Sequence, residues 1–281
     1  MTTQDGQKGQ IGTTSPPPPL LLGSHAPPGQ AIFPPRRPLV GQTTALVPLQ
    51  PAHATALYRH LGGEENLWRW TYMSSEGYPT FSAFQTAIAA WSESRDPAYY
   101  VVLSGPDTSA APWSSSSSSL SPSSPSTEAV GLMAYMAVVP EFRRLEIGHV
   151  IFGQPLTRSR QATEAFYLFL RHAFDDLGYT RVEWKANRLN NPSMQAASRL
   201  GFLSEGVFRK HMIIKGRFRD TAWFGMTEDE WPAVKRGFET WLDDSNFDEN
   251  GKQRRTLRHC RDALDRTDVD DSCTPSNVGS S

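Results

Sequence analysis

The chain has 281 residues, 38% of them apolar, and 28 lysines and arginines against 29 aspartates and glutamates give a formal net charge of −1. That balance supplies no long-range field to draw the protein onto nucleic acid or an acidic membrane, so neither is expected as a partner. Cys260 and Cys273 show no CxxC spacing and no histidine array, which argues against both a zinc site and a disulfide scaffold.

Residues 1–41 read as a disordered, proline-rich arm, with Pro16 to Pro19 and then Pro27, Pro28, Pro34, Pro35 and Pro38. They hold too few apolar side chains to offset the entropy of ordering them. Arg36 and Arg37 beside Pro34 and Pro35 fit a proline-motif ligand for another protein's aromatic groove, although solvated proline-rich termini without a partner are commoner. Leu20 to Leu22 is too short an aliphatic run for a signal peptide or a membrane span, so the expected location is cytoplasmic, shared or not with the nucleus.

A domain is predicted over 42–242. Ala45 to Leu49 is a short strand, and Ala54, Leu57, Tyr58 and Leu61 mark a helix stopped by Gly62 and Gly63. An aromatic stretch with Trp68, Trp70 and Tyr72 leads to a second helix carrying Phe81, Phe84, Ile88 and Trp91. Rings at helical spacing pack inward as a rule, yet the same rings would wall a substrate pocket if they faced a cleft. Strands at Tyr99 to Leu103 and Gly131 to Val139 flank a Ser/Pro-rich stretch, 104–128, that reads as an expanded hairpin loop. A turn with Arg143 and Arg144 precedes a strand over Glu146 to Phe152.

The strongest helix runs from Ala162 to Leu177, with Ala165, Phe166, Phe169, Leu170, Ala173 and Phe174 on one stripe and Gly178 as its stop. Val182, Trp184 and Ala186 alternate with polar residues as a strand, and Asn191-Pro192 opens a short helix that ends at Leu200-Gly201. Gly206 to Ile214 and Arg219 to Met226 form a hairpin on Lys215-Gly216. Thr227 with Glu230 boxes a closing helix through Leu242. The remainder, 243–281, reads as a polar, solvated tail in which Arg254, Arg255, Arg258 and Arg261 mix with aspartates. The order of elements makes an α/β (α+β) sandwich around one mixed sheet.

The chemistry-bearing stretch is Phe152 to Ala165, a strand feeding directly into the strong helix. Such a turn exposes unpaired N–H groups at the positive end of a helix dipole, which suits a phosphate. Thr157, Arg158, Ser159, Arg160, Gln161 and Ala162 would supply the amides, and the Arg158 and Arg160 guanidiniums would pair with phosphate oxygens. The plainer alternative is an ordinary helix cap with solvated arginines.

Ala162-Thr163-Glu164-Ala165, the Asn190 and Ser193 spacing, Gly201-Phe202 and Glu205-Gly206 together resemble the GNAT acetyltransferase superfamily, and its RimJ/RimL-like branch in particular, over roughly Thr44 to Leu242. The resemblance implies a mostly antiparallel sheet flanked by helices and split at an acyl-CoA cleft. Acetyl-CoA would be the cosubstrate, with no metal, its pyrophosphate on the helix-start turn and its pantetheine arm along Glu146 to Phe152. The family's two turn glycines fall on Arg158 and Arg160 here, although helical backbone angles do not require glycine there. The implied reaction is direct transfer of an acetyl group to a primary amine on a small molecule or a protein N-terminus. By the same resemblance Asn190 belongs to the cofactor site and Ser193 protonates the departing thiolate. Candidate bases are Glu183, Glu205, His211 and Asp220, with Glu205 of the Glu-Gly pair taken as the catalytic choice. The competing reading is a non-catalytic acyl-CoA-binding or scaffold protein that keeps the fold.

Overall fold

A computed structural model describes residues 22–26, 28–104 and 128–262. The Pro16 to Pro19 run, most of the Ser/Pro-rich insertion and the last nineteen positions, 263–281, lie outside the described residues. In chain order the elements are β1 (Leu39–Val40), β2 (Thr44–Pro48), α1 (Ala54–Leu61), α2 (Phe81–Glu93), β3 (Ala98–Ser104), β4 (Glu128–Val139) and β5 (Arg144–Phe152). There follow α3 (Arg160–Arg171), β6 (Arg181–Asn187), α4 (Asn191–Leu200), β7 (Leu203–Ile214), β8 (Arg217–Thr227) and α5 (Trp231–Leu242). The strands form one sheet in the order β1-β2-β3-β4-β5-β6-β8-β7. Every neighbouring pair is antiparallel except β5 and β6. This is the expected fold class, a mixed and mostly antiparallel sheet between helices.

Local chemistry sets the element ends, with two differences from expectation. Helix α3 starts at Arg160, because the Ser159 hydroxyl caps it by accepting the Ala162 N–H at 3.0 Å. Its α geometry ends at Arg171, and residues 172–176 form a π turn closed by the Leu177 N–H on the His172 carbonyl. Helix α4 is capped by Asn190 and not by Asn191, since Asn190 Oδ1 accepts the Ser193 N–H at 3.2 Å. Gly201 ends α4 at φ 107°, a left-handed C-cap that glycine adopts freely. Lys215 (φ 52°) and Gly216 (φ 69°) make the tight β7–β8 turn with both central residues left-handed, which matches the twist of the hairpin.

The folded body also extends past both expected boundaries. The Ala31 N–H bonds to the Pro140 carbonyl and the Ile32 N–H to the Leu177 carbonyl, while Tyr100 Oη donates to the Pro35 carbonyl at 2.9 Å. Arg36 donates to the Leu49 carbonyl at 3.1 Å and Arg37 pairs with Asp176 at 3.0 Å. These residues therefore belong to the fold, which corrects their reading as a free proline-motif ligand. At the other end Leu257 and Cys260 are buried, and the Asn246 side chain ties the Trp241 and Arg255 backbones together. Residues 243–262 are thus packed structure, not solvated tail.

Two cores lie on opposite faces of the sheet. One, under α3, α4 and α5, takes Leu145, Ile147, Val182, Trp184, Ala222, Phe224 and Met226 from the strands. The other, under α1 and α2, takes Val47, Val101, Leu132 and Ile151 together with Leu57, Leu61, Trp70, Phe84 and Ile88. The second core stops at β5. Strand alternation then puts Glu183, Lys185, Asn187, Thr221 and Trp223 on that same face beyond β5, where neither α1 nor α2 supplies apolar cover. Among the described residues no helix is long and apolar enough to cross a membrane.

Candidate active site

The parallel ladder between β5 and β6 consists of three pairs, Arg144 with Arg181, Leu145 with Val182 and Glu146 with Glu183. Past Glu146, β5 stays with β4 as far as Phe152, and past Glu183, β6 stays with β8 as far as Asn187. The two strands therefore open into a fork with Glu146 and Glu183 at its root. On the inner side of β5 beyond Glu146 the backbone has no neighbouring strand, so a ligand can take up those hydrogen bonds. A bulge sharpens the opening. Gly148 pairs with Ala134 and Ile151 with Leu132, so His149 and Val150 stand opposite Met133 alone, with His149 left-handed at φ 50°.

His149 turns toward the α1–α2 face. Its Nδ1 shares a 2.8 Å hydrogen bond with Tyr99 Oη, and its ring meets Trp91 edge-on at 4.9 Å and Trp70 at 6.5 Å. Burial pulls its pKa down to about 4, which keeps the ring neutral at physiological pH. Of the expected aromatic wall, Trp70 and Phe84 are fully buried core and Trp68 is 65% exposed. Trp91, stacked on Tyr99, is the half-buried ring that reaches the bulge.

A chain of charges lies at the root of the fork. Lys185 Nζ sits 2.7 Å from Glu146 and 2.8 Å from Glu183, over the Trp223 ring at 4.2 Å. Arg181 bonds Glu183 at 3.0 Å and grips Glu205 with two hydrogen bonds of 2.7 and 2.5 Å. Burial alone would raise the Glu183 carboxyl, but Lys185 and Arg181 outweigh it and hold Glu183 below the usual range. Glu146 differs: burial pushes its carboxyl up, and Lys185 offsets this only in part. Glu146 is therefore the more basic of the two carboxylates at the fork.

The choice of Glu205 as the base is corrected by this network. The Arg181 hydrogen bonds hold its carboxyl below the ordinary range, which makes it a counterion and a weak base. Nor does it meet Ser193. Glu205 joins the paired end of β6 through Arg181, whereas Ser193 Oγ accepts the Trp184 indole N–H at 3.1 Å on the opposite face. Asp220 accepts the Lys210 N–H at 2.7 Å, and His211 Nδ1 lies 3.1 Å from Thr221 Oγ1.

At the helix-start turn the six expected residues split by role. The N–H groups of Thr157, Ser159 and Ala162 are used internally, by the Gln154 carbonyl, the Leu156 carbonyl and the Ser159 hydroxyl. The Arg158, Arg160 and Gln161 N–H groups have no partner among the described residues, so the turn keeps three free donors. The Gln161 side chain is held by Ser104 Oγ at 2.9 Å, next to the Ser/Pro-rich insertion.

The two arginines also separate. The Arg160 guanidinium is committed to the C-terminal segment: it bonds the Leu242 carbonyl, pairs with Asp244 at 2.8 Å and lies over the Phe247 ring at 4.4 Å. That corrects its assignment as a phosphate ligand through its side chain. Arg158 is exposed and left-handed at φ 57°, so its position does require the backbone that glycine supplies most easily, contrary to the expectation of helical angles. A non-glycine residue in this conformation costs about 1–2 kcal/mol, and glycine returns part of that gain as unfolded-chain entropy. Arg158→Gly is therefore expected to stabilise the fold by roughly 0.5–1 kcal/mol, read as a higher urea midpoint at unchanged m-value.

Glu164 of the Ala-Thr-Glu-Ala motif has a role the sequence did not reveal. Its buried carboxylate accepts the Gln42 N–H at 2.5 Å, the Thr43 N–H at 2.7 Å and the Thr43 hydroxyl at 2.6 Å, fastening the β1–β2 turn to α3.

A sheet that splits between two parallel strands, with free amides at the following helix start, defines an acyl-CoA-type transferase fold. The sequence model of the "Acetyltransferase (GNAT) domain" matches residues 44–203. This chain belongs to that family. A solved GCN5-related N-acetyltransferase from Brucella melitensis is 35% identical, with a TM-score of 0.74 over 83% of this chain and 97% of that one. The SPbeta prophage-derived uncharacterized N-acetyltransferase YokL of Bacillus subtilis (strain 168) is 39% identical over 70 residues, 25% of this chain. The uncharacterized N-acetyltransferase p20 of Bacillus licheniformis is 29% identical over 104 residues, 37% of this chain. The matched segments span 40% and 58% of those two curated relatives.

Proposed function

We propose that the chain moves an acetyl group from acetyl-CoA to a primary amine, as an enzyme of the RimJ/RimL-like branch. The observation that carries the reading is the fork itself, a three-pair ladder that opens at a buried Glu146. The free Arg158, Arg160 and Gln161 amides with the exposed Arg158 side chain suit a pyrophosphate. The unpaired inner edge of β5 would take the pantetheine amides, and an N–H of that edge would stabilise the oxyanion of the thioester carbonyl.

The acceptor approaches from the α1–α2 face, where Trp91 and His149 form one side and Lys185 and Trp223 the other. An alkylammonium near pKa 10.4 must lose a proton before its nitrogen can attack. Glu146 takes that proton, and its raised basicity narrows the gap between carboxylate and amine. The C–N bond then forms as the C–S bond breaks. On the other face Ser193 Oγ already accepts from Trp184, which leaves its own hydrogen free to bond the departing sulfur. A thiolate near pKa 8.5 needs no full proton transfer to leave, so Ser193→Ala should lower kcat by about tenfold or less.

The test is thiol release from acetyl-CoA by the whole chain across a set of primary amines, with acetylated product identified by mass spectrometry. Amine-dependent release with matching product is expected. Release that does not depend on any amine, or none at all, overturns the reading.

A further inference from the structure

We infer that the open face beside the fork binds a carboxylate carried by the amine acceptor, so that the acceptor is a free amino acid; this rests on the proposed acetyl transfer. Alternation along β8 puts Arg219, Thr221 and Trp223 on the same face as Lys185 and Asn187, with Lys185 opposite Trp223 and Asn187 opposite Thr221. Two buried donors there have no acceptor, Arg219 Nε and Trp223 Nε1. Neither side chain can accept a hydrogen bond, so both call for an acceptor from outside the chain. The rest of the Arg219 guanidinium also lacks a hydrogen bond or ion pair to any described residue. Each other cation of the cluster has a carboxylate: Lys185 has Glu146 and Glu183, Arg181 has Glu183 and Glu205, and Arg144 lies 3.9 Å from Glu183.

Shape selects the kind of anion. A carboxylate fits the planar fork of the Arg219 guanidinium. Along β8, Arg219 lies further out on the open side of the fork than Thr221 and Trp223, while Glu146 stands at its root beside Lys185. An acceptor with its amine at Glu146 and its carboxylate at Arg219 would lie along this face. The β7–β8 tip is anchored across this face, because Lys215 Nζ donates to the Trp70 carbonyl at 2.8 Å. That contact ties the hairpin bearing Arg219 to the α1–α2 connection.

The experiment compares amino acids with their decarboxylated amines as acceptors for the whole chain, in wild type, Arg219→Gln and Trp223→Phe. The second variant keeps an aromatic ring at this position and removes the indole N–H together with the five-membered ring. Wild type is expected to favour each amino acid by on the order of 100-fold in kcat/KM, because a site built for a polar group rejects the analogue lacking it. Both variants are expected to raise KM for the amino acid at least about tenfold more than KM for the decarboxylated amine. Equal or better use of the decarboxylated amines by wild type overturns the inference, as does an equal loss for both acceptor classes in the variants. Acetyl-CoA binding is read separately by thermal shift. Binding without carboxylate preference overturns this inference alone, and no binding overturns the acetyl-transfer reading with it.

Discussion

Glu146→Gln is expected to lower kcat by roughly 10²- to 10³-fold while leaving acetyl-CoA affinity unchanged, the range that loss of a positioned general base produces. The carboxylate must be ionised to accept the ammonium proton, and burial raises its pKa. Wild-type kcat/KM should therefore rise with pH through a limb lying above the ordinary glutamate value, and the variant should lack that limb. Stability supplies an independent sign. A carboxyl that holds its proton more tightly folded than unfolded contributes stability below its unfolded pKa, and loses that contribution as pH rises through the folded value. Glutamine avoids that loss, and Lys185 keeps Glu183 as its partner. The variant should thus be no less stable than wild type at pH 8, where a purely structural role for Glu146 would make it weaker. Thermal melts and a pH–rate profile read both effects.

The second large effect concerns the segment after α5. Ending the chain at Leu242 strips Leu257, Cys260 and Phe247 from the core and leaves Arg160 without Asp244 and the Phe247 ring. Burial of a leucine or phenylalanine contributes about 1.5–3 kcal/mol, and the Arg160–Asp244 pair adds little because Asp244 is exposed. The loss is on the order of 3–5 kcal/mol, which approaches the whole stability of a marginal domain. Urea denaturation should find the shortened chain unfolded or barely folded at 25 °C. An unchanged midpoint would mean that residues 243–262 contribute nothing to the fold. For the same reason Arg160 is a poor probe of phosphate binding, since its removal would disturb this anchor first.

What could be read from the chain depended on how local its cause was. The apolar stripe of α3, the alternation of β6 and the Lys215-Gly216 turn are short-range patterns, and they fell where the spacing put them. The stop of α4 at Leu200-Gly201 is local in the same way. Composition misled at the N-terminus: prolines need no ladder donor, so an extended segment with Pro34 and Pro35 can pack by offering carbonyls, as Pro35 does to Tyr100. The roles of Glu146 and Glu205 were hidden because they depend on distant partners. Only the parallel register of β5 and β6 sets Glu146 beside Lys185, and only the β6–β8–β7 order brings Glu205 to Arg181. Arg158 and Arg160 look alike in sequence, yet one sits left-handed in solvent and the other at the first helical position, so their side chains leave in different directions.

The decisive measurement is calorimetric titration of acetyl-CoA into the whole chain, in wild type and Arg158→Ala. Saturable one-site binding by wild type is expected, with affinity about tenfold weaker in the variant for loss of one charge-assisted contact at an exposed turn. No binding at millimolar acetyl-CoA, or identical affinity in the two proteins, would contradict it.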